Sequence, residues 1–264
     1  VAGIVGHSQA VLTDALHSLS DCTSDLAIIF GVRFWTVPAD ESHPYGHARI
    51  ETLITVLVGL ILIAAGLLMG ARALKGMLAG DTPSPPTWVA IVASILALVS
   101  KEWLYRWTWR VGVRLRSSSV KANAWHHRSD AISTIPALFA ATLAAVRPAW
   151  VFVDALGAVL VAAIILIAGW KVLKPALDVL VDRAGSVEQL GEIMRLSHAI
   201  PGVRQVHGVR SRQVGGGLGV DMHVHVDGDI SVDRGHAIAS SVKHSLMQDG
   251  PDVVDVVVHI EPED

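Results

Sequence analysis

A bundle of membrane-spanning α-helices followed by a small α+β domain of order αββαβ is the architecture that three features of this sequence predict. The chain has 264 residues, of which 52% are hydrophobic and only 17% charged, with a mean hydropathy of +0.49. That is too apolar for one ordinary water-soluble domain, yet the apolar character is not continuous. Long uncharged runs fill the first two thirds, and from residue 185 the pattern changes to short alternating segments. The expected division is therefore a membrane domain over residues 1–184 and a soluble domain over residues 185–264.

The opening, Val1-Ala2-Gly3-Ile4-Val5-Gly6, reads as the tail of an apolar helix, with no basic n-region of a signal peptide, so a further span is expected upstream. Residues 11–35 form the next helix. Its second half is apolar apart from Arg33, whereas its first half carries Asp14, His17, Asp21 and Asp25. Residues 53–71 are nineteen residues without a charge, close to the ~20 needed to cross a bilayer core. Residues 82–100 form a second uncharged run, entered through Pro83, Pro85 and Pro86 and closed by Lys101-Glu102. Residues 131–146 and 155–170 are sixteen uncharged residues each, long enough to span once the polar turn before each joins the helix. This places His126, Asp130 and Asp154 at membrane depth.

The polar residues at 14, 17, 21 and 25 recur every three or four positions and so form one stripe on one helix face. A surface amphipathic helix is the alternative, but its polar face should carry Lys and Arg, and this one is acidic with His. Ionisable groups inside spans are costly and face a bundle interior where they serve function. Arg106, Arg110, Arg114, Arg116 and Lys121, then Lys171, Lys174 and Arg183, cluster at one set of span ends, as do Arg33 and Arg49 around the 38–49 loop. By the positive-inside rule these regions, and everything after 183, face the cytoplasm.

Beyond Gly185, residues 186–200 read as a helix with Ser186 as N-cap and Gln189 three residues on, stopped by Pro201-Gly202. Strands are expected at 203–213 and 220–226, with a glycine turn at 215–217 between them. In the second strand Val220, Met222, Val224 and Val226 alternate with Asp221, His223, His225 and Asp227, giving one buried and one polar face. A helix at 231–248 and a strand at 253–260 complete an open sheet covered by helices on one side.

Three groups of residues carry metal chemistry. His17 and Asp21, and again His126 and Asp130, are four residues apart, so each pair projects from one helix face, roughly 6 Å apart along the axis. Two such half-sites supply two His and two Asp, the four N and O donors that zinc-like ions take in a tetrahedron. His127 points roughly 100° away from His126 and is read as a helix contact. In the 38–47 loop, Asp40, Glu41, His43 and His47 have ligand-like spacing, with a solvated polar loop as the alternative. In the last domain His207, His223, His225, His236, His244, His259 and Glu261 fall on neighbouring elements. His223 with His225, and His259 with Glu261, each share a strand face. A single strand His is usually a hydrogen-bonded surface residue, but several together point to metal, including metal held between subunits.

Other classes are disfavoured. The net charge of −3 lacks the basic footprint of a nucleic-acid partner. The single cysteine, Cys22, rules out intrachain disulfides and Cys-rich zinc motifs. There is no phosphate-binding Gly-x-x-x-x-Gly-Lys-Ser/Thr, the Gly215-Gly216-Gly217-Leu218-Gly219 run reading as a hairpin turn, so any transport needs an ion gradient. Neither His-Glu-x-x-His nor Gly-x-Ser-x-Gly occurs, which argues against an enzyme.

The stretches Thr13-Asp14-Ala15-Leu16-His17-Ser18-Leu19-Ser20-Asp21, His43-Pro44-Tyr45-Gly46-His47-Ala48-Arg49-Ile50-Glu51, Lys101-Glu102 and Lys121-Ala122-Asn123-Ala124-Trp125-His126-His127-Arg128-Ser129-Asp130 resemble the cation diffusion facilitator family of divalent-metal/proton antiporters, over essentially the whole chain. The resemblance implies six spans with the first truncated here, and a cytoplasmic metallochaperone-like dimerisation domain. It implies that His17, Asp21, His126 and Asp130 form the transport site between spans two and five, and that Asp40, His43 and His47 form a cytoplasmic loop site. It further implies dimer-domain sites at His207, His223, His236, His259 and Glu261, with Glu261 replacing a more usual Asp. Arg49 and Asp182 resemble a charged pair that locks the membrane domains of a homodimer, with Arg in place of Lys.

Metal binding requires neutral His and ionised Asp, so protons and metal compete for one site. A site open alternately to each side then lets an inward proton gradient expel metal. The expected activity is export of Zn2+, with Fe2+, Co2+, Mn2+ and Cd2+ as alternative substrates and occupants of the accessory sites, by a multi-pass protein of the cell (inner) membrane. A metal-responsive scaffold without transport is the alternative, but it has no need of an intact buried tetrad. A membrane di-metal enzyme would need more carboxylates.

Overall fold

The computed structural model describes residues 1–263 except 80–83 and 115–117, and it describes no side chains at 20, 21, 23–29, 118–123, 126 and 148. In chain order the elements are α1 (Ala2–Val5), α2 (Gln9–Trp35), α3 (Arg49–Leu78), α4 (Trp88–Arg114), α5 (Ser118–Val146) and, after a short 3-10 turn, α6 (Phe152–Leu180). They are followed by α7 (Val187–His198), β1 (Gln205–Val214), β2 (Gly217–Asp227), α8 (Val232–Asp249) and β3 (Val253–Glu263). The fold is thus an all-helical N-terminal part with a small α/β domain after it. Among the described residues, four stretches are helical, long and apolar enough to cross a membrane: Arg49–Leu78, Trp88–Arg114, His127–Val146 and Phe152–Leu180. Two compact units divide the chain, one of residues 1–27 and 57–173, the other of residues 28–56 and 174–264.

The first unit is held by small residues. Ala10, Ala137, Ala140 and Ala158 are buried together with Leu62, Val161 and Ile165. A methyl group placed on Gly157 would lie 2.4 Å from the Ala140 Cβ, so the backbones of α5 and α6 meet as closely as glycine permits. Close approach of this kind gives helices dispersion contacts that lipid cannot offer.

Helix α2 starts where its orphan N–H groups find acceptors. Ser8 Oγ accepts from the Val11 N–H at 3.1 Å. Asp154, in the first turn of α6, accepts from the Gln9 N–H at 2.6 Å and from the Ser8 hydroxyl at 2.5 Å. A carboxylate at a helix N-terminus satisfies those donors and opposes the positive end of the helix dipole. Asp154 is 4% exposed, and these partners account for a carboxylate buried at that position.

The helices are longer than the apolar runs that announce them. Residues 53–71 are the centre of α3, which continues through charged residues at both ends. Lys101-Glu102, expected to close a span, lie midway along α4. A charge there is tolerated because it is partnered: Lys101 Nζ is 2.8 Å from Thr134 Oγ1 and 3.3 Å from the Asp130 carbonyl, both on α5.

In the α/β domain β2 is central, antiparallel to β1 and parallel to β3. The parallel pair is joined through α8, as a parallel connection requires. The apolar face of β2, from Leu218 to Val226, is buried with Ile193 of α7 and Ile238, Val242 and Leu246 of α8. Helix α7 begins with both halves of the Ser186/Gln189 capping box, and α8 with Ser231 accepting from the Arg234 N–H. The alternation of β2 is what leaves its other face, with His223 and His225, only half-buried.

Candidate metal centres

Strand register builds the most complete cluster. His207 of β1 sits opposite His223 of β2, and His223 opposite His259 of β3, so three histidines lie side by side across the sheet. One step along, His225 sits opposite Glu261. Since residues two apart on a strand share a face, all five are on the side away from the apolar core.

The Glu261 carboxylate joins two groups. Its Oε2 is 2.8 Å from His207 Nε2 and 3.2 Å from His225 Nε2, and those two nitrogens are 3.0 Å apart. Its Oε1 is 2.7 Å from His223 Nδ1 and 3.5 Å from His259 Nε2. In each group one donor atom per residue lies within 4.8 Å of the others. Tetrahedral coordination at bond lengths of ~2.1 Å separates donors by about 3.4 Å, so side-chain shifts of roughly half an ångström would seat an ion between His207, His225 and Glu261. Hydrogen bonding from His223, then His207, outweighs partial burial and holds the Glu261 carboxyl down at about 2.

A β-bulge between His207 and Arg210 makes room for this cluster. It carries Gly208 at φ +59°, where an added Cβ would lie 3.1 Å from His223 Cδ2. Glycine is thus required twice over, for the left-handed backbone and for the imidazole beside it.

The loop group is built around one carboxylate oxygen. Asp40 Oδ1 accepts from the Ser42 hydroxyl at 2.8 Å and from the N–H groups of His43 at 2.7 Å and Ser42 at 2.9 Å. These bonds, the hydroxyl first, hold the Asp40 carboxyl at about 2 despite some desolvation. The other oxygen faces His47 Nε2 at 3.6 Å, and His43 Nδ1 lies 3.5 Å from Oδ1. His47 Nδ1 is 3.3 Å from the Pro38 carbonyl, which favours the tautomer whose Nε2 lone pair is free to bind a cation. Asp40, His43 and His47 form a third group with metal-ligand spacing.

In the helical unit, His17 and Asp14 are buried on one face of α2. Asp14 Oδ1 accepts from Thr134 Oγ1 of α5 at 3.1 Å, one turn from Asp130. The side chains of Asp21 and His126 lie outside the described residues.

The remaining site residues are placed as follows. His236 is outside both sheet groups, exposed on α8 with its Nε2 3.4 Å from Ser240 Oγ. Arg49 Nη2 donates to Asp182 Oδ1 at 2.6 Å within one chain. Asp182 reaches it from a left-handed conformation, φ +60°, at the end of α6. There the Arg183 N–H bonds the Asp178 carbonyl and the Asp182 N–H that of Val179, the hydrogen-bond pair of a Schellman motif with Asp where glycine is usual. His225 is among the sheet histidines that the sequence groups as metal candidates, but its pairing with Glu261 depends on register. Lys101 reads in the sequence only as the end of an apolar run.

Residues 1–181 match the family model described as the cation efflux transmembrane domain, and residues 186–263 that of the cation efflux protein cytoplasmic domain. The chain is 27% identical to the manganese efflux system protein MneP of Bacillus subtilis, over 98% of this chain and 89% of that one. It is 32% identical to metal tolerance protein C1 of Arabidopsis thaliana, over 99% of this chain and 58% of that longer one. It is 29% identical to the magnetosome protein MamB of Magnetospira sp., over 99% of this chain and 88% of that one.

Proposed function

The chain belongs to the cation diffusion facilitator family of multi-pass membrane metal transporters with a cytoplasmic C-terminal domain, and on that premise we propose that it exports a divalent transition-metal cation in exchange for protons, by alternating access at His17, Asp21, His126 and Asp130. The observation that carries this reading is the Asp14–Thr134 hydrogen bond. Helices α2 and α5 are separated by two crossings, α3 and α4, if each of these spans, and so run in opposite directions. From a contact at 14 and 134, stepping along α2 to 17 and 21 while stepping back along α5 to 130 and 126 brings the two half-sites to the same levels. One helix register thus accounts for the whole tetrad.

Its donors are imidazole and carboxylate with no thiolate, a set that suits Zn2+, Fe2+, Co2+ and Mn2+. Zn2+ is the first choice on the two imidazoles. Mn2+ is the second reading, favoured by the similarity to a manganese efflux protein. Because each donor must lose or lack its proton to bind, metal entry displaces protons, and the returning protons displace metal.

Residues 1–184 serve as the transport domain and residues 185–264 as a cytoplasmic domain for homodimerisation and metal binding. His207, His223, His225, His259 and Glu261 supply ligands there, and His236, exposed on α8, is a further candidate ligand apart from them. The Arg49–Asp182 pair stiffens the junction of α3 and α6 in each protomer. Flux in proteoliposomes tests the proposal. His17→Ala and Asp130→Ala are expected to abolish metal-driven proton movement while insertion and dimerisation persist; unchanged flux removes this site from the mechanism.

A further inference from the structure

Away from the metal centres, α4 and α5 enclose a groove of 620 Å³ on their outer side. Its deeper half is formed by Leu98, Val99, Ile132 and Ile135, and its other end by Arg106 and Arg128. The order follows from the antiparallel pairing of the two helices, in which Leu98 and Val99 lie level with Ile135, and Arg106 with Arg128. Eight residues of α4 separate Leu98 from Arg106, about 12 Å along the axis.

Depth in the membrane fixes which end meets water. With the C-terminal domain cytoplasmic, α6 ends in the cytoplasm, so α5 rises from it and α4 descends into it. Counting the ~20 residues of a bilayer core from Trp88 reaches Trp107, so the arginines lie at the cytoplasmic end of the core, within side-chain reach of the headgroups, and the apolar half lies deeper in the hydrocarbon. Two exposed tryptophans mark the same level. Trp103 and Trp107 stack with ring centroids 6.3 Å apart and planes within 3°, at the depth where indole rings favour the interface.

The cationic end is built. The Arg128 guanidinium lies 4.8 Å from the Tyr105 ring centroid and 5.3 Å from that of Trp125, and it donates to the Tyr105 hydroxyl at 3.1 Å. It is therefore held in place by aromatic rings and a hydroxyl, with no carboxylate paired to it among the described residues. Arg106 pairs with Glu102 at 2.7 Å, an exposed pair of small energy that an incoming anion can replace. Arg110 and Arg114 follow at four-residue intervals on the same helix face. Of the charged residues that line the groove, Arg106 and Arg128 are cationic and Glu102 is acidic.

An apolar channel running into the bilayer, capped by fixed positive charge at the headgroup level, has the shape and polarity of one ligand class. We infer that the α4–α5 groove is a binding site for an anionic phospholipid of the cytoplasmic leaflet, its acyl chain lying along Leu98, Val99, Ile132 and Ile135 and its phosphate meeting Arg106 and Arg128. A second copy of the chain fits less well, because two such mouths would bring their arginines together.

Native mass spectrometry of the full-length protein tests this, using phosphatidylglycerol and phosphatidylcholine with identical oleoyl chains. The wild type is expected to retain phosphatidylglycerol preferentially. Arg106→Gln and Arg128→Gln should each reduce that preference by about fivefold, as expected for a surface arginine near an anionic headgroup. Ile132→Trp, which fills the apolar half and leaves the charges, should reduce retention of both lipids. Equal retention of the two lipids by the wild type overturns the assignment, as does a preference that all three variants keep. Loss of the dimer in Ile132→Trp with lipid retention unchanged would give the groove to a second copy and overturn it equally. Because Arg128 also braces Tyr105, circular dichroism of each variant accompanies the measurement, and Arg106→Gln with Ile132→Trp decides the outcome if Arg128→Gln unfolds.

Discussion

Lys101 Nζ lies 3.6 Å from Asp14 Oδ1, a positive and a negative charge brought together from α4 and α2 in the interior of the helical unit. Both side chains are largely buried, 16% and 6% exposed. Thr134 closes the triangle by bonding to each. Removing one member of a buried pair strands the other charge and costs about 3–5 kcal/mol, whereas replacing both with neutral groups of similar size costs far less. Lys101→Met should therefore lower stability in detergent by about that amount, and the double variant Lys101→Met with Asp14→Asn should recover most of it. Denaturant titration of the two singles and the double, read as a cycle, checks this; additive losses would show that the charges are not coupled.

The Glu261 carboxyl gives a pH prediction of definite sign. Its pKa in the folded protein, about 2, is below the ordinary value of 4.5. A depressed carboxylate contributes stability that is fully present above the unfolded value and is lost as pH falls through the folded one. The loss is thus confined to the interval from 4.5 down to about 2. Carbon-13 NMR of glutamate-labelled protein should show the Glu261 titration midpoint near the bottom of that interval, and Glu261→Gln should remove this component of the acid-unfolding profile. A midpoint at the ordinary value would mean that His223 and His207 do not face the carboxylate in solution.

Gly208→Ala tests the bulge. A left-handed non-glycine residue costs about 1–2 kcal/mol, and the new methyl would also press on the His223 ring. The expected result is a loss of that order in stability together with weaker metal binding by calorimetry. Binding at full strength would show that the His223 ring has room to move.

Asp182 offers a contrast between backbone and charge. Its ion pair with Arg49 is exposed at both ends, where such pairs contribute about 0–1 kcal/mol. Glycine suits its left-handed backbone better than aspartate does. Asp182→Gly should accordingly be close to neutral in thermal stability, while Asp182→Val, which loses the pair and is β-branched at positive φ, should be clearly destabilised. Thermal melts of the two variants side by side separate the contributions.

The parts of this architecture set by local rules were open to reading. Ser186 and Gln189 announce the start of α7, the alternation from Val220 to Val226 gives β2 its two faces, and the uncharged run at 53–71 locates the centre of α3. Hydropathy measures where lipid begins, however, and not where a helix stops, which is why the charged turns of α3 and the latter half of α4 escaped it. Lys101 looks like a terminus until its partners on α2 and α5 are known. The same limit applies to the sheet cluster. That His223 and His225 share a face follows from their spacing, but that one meets His259 and the other Glu261 depends on strand register, which no short stretch of sequence contains.

The carboxylate of Asp154 holds the start of α2 through a main-chain N–H of Gln9 and the hydroxyl of Ser8. Half of that attachment is blind to side-chain identity. In a saturation-mutagenesis library, position 9 should accept nearly any residue except proline, which has no N–H to offer, position 8 should accept threonine in addition to serine, and position 154 should admit almost nothing. The asymmetry would appear as one intolerant codon facing a permissive one across the bundle, a signature that distinguishes a tether to the backbone from an ordinary pairing of two side chains.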